Sequence, residues 1–179
     1  MKTKHNKKGL TLVELLVAMI VSLLVIMAGT IFWIQQNKIT AKVIDKTYAE
    51  QVVFQIAEII SSDLRKAGYG NPPDPIEYSN GILTIEYVDY EEPTCENETW
   101  NSTISSCNTT IKYKLEDYTL KRDLNGSGFQ AMNDPQKIKI NTFDITTNST
   151  EKTVEFKIEA EAALGNFTIT NKVYCRNWK

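Results

Sequence analysis

One apolar run, Leu15 to Ile34, constrains this 179-residue chain more than any other feature. It is 20 residues long, carries no charge, and is interrupted only by Ser22, Gly29 and Thr30. As a helix it would span roughly 30 Å, the thickness of a bilayer's hydrocarbon core. Ahead of it stands a basic octapeptide with Lys2, Lys4, Lys7 and Lys8 and no acid. That asymmetry predicts a cytoplasmic N-terminus and a body on the far side of the membrane. An ordinary secretory signal peptide fits poorly, because the run is too long and only Met27-Ala28-Gly29 faintly suggests a cleavage site.

Charge and histidine content remove other classes. The formal charge is -2 for the whole chain and -6 from Gly9 onward. An acidic body argues against nucleic acid as a direct partner, since phosphate binding needs clustered Lys and Arg. The only histidine is His5, so nothing downstream can form a His triad, a His metal cluster or an imidazole acid/base. The chain also lacks a Gly-rich phosphate loop, a nucleophile elbow and internal repeats. Neither enzymatic activity nor a cofactor is expected, and a membrane-tethered hydrolase is the weakest reading.

Glu14 stands at the head of the apolar run, where a carboxylate costs a few kcal/mol or more depending on depth. No Lys, Arg or His follows within twenty residues, so no basic side chain ahead on the helix can neutralise it. A cut after Gly9 would create a positive amine at Leu10, one helical turn away. In a packed array of such helices that amine could pair with another subunit's Glu14. The plainer alternative is a carboxylate snorkelling at the interface.

Beyond the run the pattern becomes amphipathic, with Ile39, Val43, Val52, Ile56, Ile59 or Ile60, and Leu64 at helical spacing. One continuous helix is expected from about Leu10 to Ala67, stopped by Gly68, Gly70 and Asn71-Pro72-Pro73. Residues 74–179 change period. Strands are predicted at 82–88, 110–115, 118–122, 137–146, 154–160 and 166–175, the second and third joined as a hairpin across Glu116-Asp117. The expected class is α+β: one long N-terminal helix whose second half packs on a C-terminal antiparallel β-sheet domain with a single core.

Lys8-Gly9-Leu10-Thr11-Leu12-Val13-Glu14-Leu15-Leu16-Val17-Ala18-Met19 resembles the processing and methylation motif of type IV pilins and type II secretion pseudopilins. The resemblance implies cleavage between Gly9 and Leu10 by a membrane prepilin peptidase, N-methylation of Leu10, and an assembly role for Glu14. Leu10 stands where the family usually has Phe, and Ile31 where many major pilins carry a kinking Pro; the latter suits a minor subunit. Further along, Ser62 to Asn71, the pair Ile111–Leu115 and Leu120–Arg122, and the ending Val173-Tyr174-Cys175-Arg176-Asn177 resemble PilW-like minor pilins, and more loosely J-type pseudopilins. The implied organisation is a leader at 1–9, a transmembrane and fibre-core helix half at 10–34, and a globular domain at 35–179. The implied function is a minor pilin that primes or caps pilus assembly. Its partners would be other minor and major pilins, the prepilin peptidase and the inner-membrane assembly machinery. It would sit first in the inner membrane and then in the pilus at the cell surface. A J-type pseudopilin and a tip adhesin on the same fold are the alternatives.

Three features remain. Glu91 to Thr109 is polar, with Cys95 and Cys107 near its ends and Trp100 between them. Outside the cytoplasm a Cys95–Cys107 disulfide would staple this loop, with Cys107–Cys175 and Cys95–Cys175 left open. Exposed Trp100 would offer a contact surface for a partner, against a plain solvated insertion as the blander reading. Asp123, Asn125, Ser127 and Asp134 fall in calcium-loop order, but Asn125-Gly126 is also an ordinary turn signal, so no metal is expected. Six N-x-Ser/Thr triplets, at Asn97, Asn101, Asn108, Asn125, Asn148 and Asn166, read as composition rather than glycosylation.

Overall fold

The computed structural model describes residues 11–90, 93–95, 98–100 and 105–178. The Gly9–Leu10 junction, the leader, and Asn97 and Asn101 lie outside the described residues. The chain divides between Val43 and Ile44 into two units. A single helix, α1 (Leu12–Lys66), contributes to both.

In the first unit every described residue is exposed. From Leu15 to Ile34 the segment is apolar all round, so it has no distinct face to bury against its own chain. Its hydroxyls are satisfied internally: Ser22 donates to the Ala18 carbonyl at 2.7 Å and Thr30 to that of Met27 at 2.8 Å. Such back-bonding lets a polar side chain sit in an apolar surround without an orphaned donor.

In the second unit the helix turns one stripe inward: Ala49, Val53, Ile56, Ala57, Ile60 and Leu64 are buried. The buried member of the Ile59/Ile60 pair is Ile60; Ile59 is 42% exposed. Ile39 and Val43, expected on this stripe, are exposed because they precede the second unit. Termination follows the expected route. Gly68, Gly70 and Asn71 all take positive φ, and the Gly68 amide leaves the helix to donate to the Glu86 carbonyl at 3.0 Å.

Among the described residues eight strands follow, two more than expected: β1 (Ile76–Ser79), β2 (Ile82–Val88), β3 (Asn108–Glu116), β4 (Thr119–Leu124), β5 (Gln130–Ala131), β6 (Lys139–Asn148), β7 (Thr153–Ala162) and β8 (Gly165–Tyr174). They form not one sheet but two antiparallel ones, ordered β1-β2-β3-β4-β5 and β6-β7-β8. The unforeseen strands β1 and β5 are four and two residues long, too short for alternation to register. Asn80-Gly81 after β1, both at positive φ, is nevertheless a strong hairpin signal.

The two sheets share one core with the helix. Leu83, Ile85, Ile111, Tyr113 and Leu120 come from the first sheet, and Ile140, Val154, Phe156, Ile158 and Ala160 from the second. Each large side chain so buried contributes about 1.5–3 kcal/mol. The sheets meet where the β3–β4 turn carries Asp117 and Tyr118 at positive φ. The Tyr118 carbonyl accepts from the Ile140 amide at 3.0 Å and from Asn133 Nδ2 at 3.1 Å. Asn133 is itself buried, donating also to the Ile138 carbonyl and accepting from the Leu120 amide.

Candidate functional site

At the described start of α1, Thr11 and Glu14 cap the helix reciprocally. The Thr11 amide and hydroxyl donate to Glu14 Oε2 at 2.8 and 2.9 Å, and the Glu14 amide donates to Thr11 Oγ1 at 3.3 Å. This is the capping box, in which an N-cap Thr and a Glu three residues on satisfy each other's end of the helix. It gives Glu14 a neutral partner one turn back on its own helix, beside any ionic one. The signal was present as Thr11-x-x-Glu14 ahead of an apolar run. The box does not neutralise the carboxylate, and Oε1 takes no part in it. Glu14 is therefore held at the helix start by Oε2 alone.

A second constellation holds the other end of the helix. Asp63 on α1 is buried, and its Oδ2 accepts from the Tyr113 hydroxyl on β3. It also accepts from Arg122 on β4, from Nε at 3.2 Å and Nη2 at 3.0 Å. Arg122 Nε donates in addition to the Tyr113 hydroxyl oxygen at 3.1 Å. Burial, together with the adjacent Asp63 carboxylate, holds the Tyr113 phenol far above its usual range, so it remains a donor at any working pH. Half a turn away, Ser61 donates to the Ala57 carbonyl and accepts from Asn171 Nδ2 of β8 at 2.8 Å. The helix end is thus tied to both sheets by polar contacts inside an apolar core.

The three segments that resembled PilW-like proteins meet here and have packing roles. Asp63, Tyr113 and Arg122 join the first segment to the hairpin. A Cβ on Gly68 would stand 2.3 Å from the Asn177 carbonyl oxygen, so the C-terminal segment lies directly against the helix end. Gly70 is equally confined, its φ at +75° and Val88 Cγ2 only 2.1 Å from where a Cβ would be.

The cysteines divide as follows. Cys95 and Cys107 are disulfide-bonded across 12 positions, with Cα atoms 5.6 Å apart. In the chain-entropy model such a closure contributes about 3 kcal/mol. Cys175 is free and buried in the main core, where burial pushes its thiol up to about 11 and leaves it unreactive. Trp100 is not displayed as the contact-surface reading would have it. It is half-buried on a small cluster of Val88, Cys95 and Cys107, its amide donating to the Gly70 carbonyl at 2.8 Å. An indole is broad enough to cover a buried disulfide.

The calcium-ordered residues carry turn chemistry instead. Asp123 Oδ1 accepts from the Gly128 amide, Asn125 Oδ1 from the Thr110 amide, and Asp134 Oδ1 from the Gln136 amide, at 2.8–3.0 Å. Among the described residues no three His, Cys, Asp or Glu side chains gather as metal ligands. Asn108, one of the triplet asparagines, has its amide nitrogen committed to the Trp100 carbonyl at 2.8 Å.

An N-terminal apolar helix long enough to cross a membrane, capped by a carboxylate and followed by a unit of helix on antiparallel sheets, defines a type IV pilin-like protein. The chain belongs to the family described as prepilin peptidase-dependent protein B, whose model matches residues 42–174. Residues 4–30 match the prokaryotic N-terminal methylation motif, which implies dealings with pilus machinery and anchoring in a membrane before assembly. Among solved structures the chain is similar to a type IV-like pilin from Thermus thermophilus, at 9% identity and a TM-score of 0.47, over 72% of this chain and 97% of that one. No curated protein sequence matches it.

Proposed function

We propose that this protein is a minor pilin, PilW-like in kind, which helps to prime or cap a type IV pilus. In this reading residues 1–9 are a leader removed between Gly9 and Leu10, Leu10 is then N-methylated, and residues 10–34 anchor the subunit before entering the fibre core. The globular domain from 35 onward selects neighbouring subunits. The observation that carries the reading is the methylation motif leading into a charged, capped Glu14 at the head of an exposed apolar helix. A helix of that kind needs lipid or other helices around it. Its retained carboxylate suits pairing with a neighbour's new amine.

The test separates capping from pairing. Gln at the third helical position still closes a capping box, whereas Ala does not. Glu14→Gln should therefore keep the helix start and remove only the charge. With a prepilin peptidase present, both Glu14→Gln and Glu14→Ala should be cut to a product starting at Leu10, heavier by one methyl, as read by intact mass. Both should then fail to enter sheared fibres. Fibre entry of Glu14→Gln at the wild-type level would sink the pairing mechanism. An uncut wild-type chain would sink the pilin reading itself.

A further inference from the structure

Between Glu14 and Asp45 the chain carries two charges, Lys38 and Lys42, and no acid. Both lysines are exposed on α1, and neither forms an ion pair among the described residues. They stand four and eight residues beyond Ile34, the last residue of the apolar run. With Ile34 at the hydrocarbon boundary, their Cα atoms lie about 6 and 12 Å past it. The headgroup layer on each side of a bilayer is about 5–8 Å deep. Side chains on a helix lean toward its N-terminus, here toward the bilayer. The ammonium groups of both lysines therefore fall back to the level of the lipid phosphates.

The two lysines are neighbours, one turn apart on one side of the helix. Ile31 precedes them by seven and eleven positions and lies within about 20° of each around the helix axis. Met27 and Leu24 continue that stripe toward the middle of the run, and all three apolar side chains are more than half exposed. Trp33 lies about 140–180° away from the lysines, and its side of the helix, with Gln36 and Thr40, carries no charge. The lysine stripe thus has hydrocarbon at one end and two positive charges at the other. Its complement is a molecule with acyl chains at one end and an unbalanced negative charge at the other. A free anion would leave the apolar part of the stripe unused, and an acidic peptide would have to enter the bilayer to cover it.

We infer that this face of the helix binds an anionic phospholipid of the leaflet at the C-terminal end of the apolar run. The lipid phosphate sits between Lys38 and Lys42, and the acyl chains run along Ile31, Met27 and Leu24. A zwitterionic lipid is the poorer fit, because its own cation offsets the attraction that the lysines supply. The inference rests on the pilin reading only for the apolar run's lying in a bilayer.

The experiment reconstitutes the full-length chain into phosphatidylcholine vesicles in which about a tenth of the lipid is brominated on its acyl chains, as phosphatidylglycerol or as phosphatidylcholine. Bromine quenches only an indole close to it. Ile31→Trp with Trp33→Phe puts the reporter on the lysine face, and wild-type Trp33 reads the opposite face of the same leaflet. Trp33→Phe alone gives the background from Trp100 and Trp178. At position 31 phosphatidylglycerol should be enriched over phosphatidylcholine by about fivefold or more, and at position 33 by less than about twofold. Lys38→Gln with Lys42→Gln should abolish the enrichment while the chain still floats with the vesicles. Salt at about 1 M, which screens exposed charges beyond about 3 Å, should lower it, and inorganic phosphate at matched ionic strength should not. Enrichment that is equal at the two positions, survives the glutamines, ignores salt or yields to inorganic phosphate would overturn the inference. Flotation without enrichment removes lipid selection alone. Enrichment in a chain that prepilin peptidase leaves uncut removes the pilus reading alone, and a chain that does not float removes both.

Discussion

From Leu15 to Ile34 the helix shows apolar side chains to the outside on all faces; from Ala49 to Leu64 the same helix buries one stripe and is tied down by Ser61 and Asp63. The backbone is identical in kind, so the difference lies in what each stretch leaves unsatisfied. The first leaves only hydrocarbon, having bonded Ser22 and Thr30 internally, and any apolar surround will serve it. The second has a polar face and a specific inner face, and only the two sheets of its own chain complete it. One stretch is therefore general in its requirement and the other particular.

The comparison can be broken most forcefully by charging the first stretch. Val21→Lys with Leu24→Lys should cost about 5–7 kcal/mol of membrane insertion and leave the unfolding of the second unit unchanged. Carbonate extraction, set beside near-ultraviolet circular dichroism of the detergent-solubilised chain, checks both halves at once. A lower unfolding midpoint would show that the two stretches are coupled. Next comes Asp63→Ala, which leaves Tyr113 and Arg122 without their acceptor and should cost about 3 kcal/mol by denaturant titration, with membrane extraction unaffected. Gly68→Ala should cost about 2 kcal/mol or more, since it forces a left-handed conformation and a clash with the Asn177 carbonyl.

The smallest effect concerns Glu86, whose pKa is raised by burial and by the neighbouring carboxylates of Asp74 and Glu77. A raised carboxyl pKa means the folded state holds the proton more tightly. Stability is therefore lost as pH rises from the ordinary glutamate value of 4.5 through the raised one. Glu86→Gln should raise the melting temperature at pH 7 slightly and make no difference below about pH 4. A difference that persists in acid would point to packing rather than charge.

Much of the fold was legible because its signals are local. The apolar run, the Gly and Pro stop after Ala67, and the alternation Val154-Phe156-Ile158-Ala160 each announce themselves within a few residues. Residues 137–146 do not keep one alternation, because the irregularity after Ile140 shifts the inward phase from even to odd positions, from Ile138 and Ile140 to Phe143. What escaped was either too short, as with β1 and β5, or assembled from afar. Asp63 meets Tyr113 across 50 positions and Arg122 across 59, and no window of sequence contains that triangle. The capping box at Thr11 and Glu14 is local, written as Thr-x-x-Glu ahead of an apolar run.

The two polar ties have a consequence for alignment. An apolar stripe repeating every turn offers several nearly equal seats, because sliding the helix by one turn, about 5.4 Å, replaces each buried side chain with another of similar kind. Ser61 and Asp63 remove that freedom. They stand two positions apart on the helix and address different sheets. Any slip would strand Asp63 among hydrocarbon while Arg122 and Tyr113 faced an empty place, at a cost of several kcal/mol. They act as an index mark on an otherwise sliding scale, fixing which turn of the helix faces which strand of the two sheets.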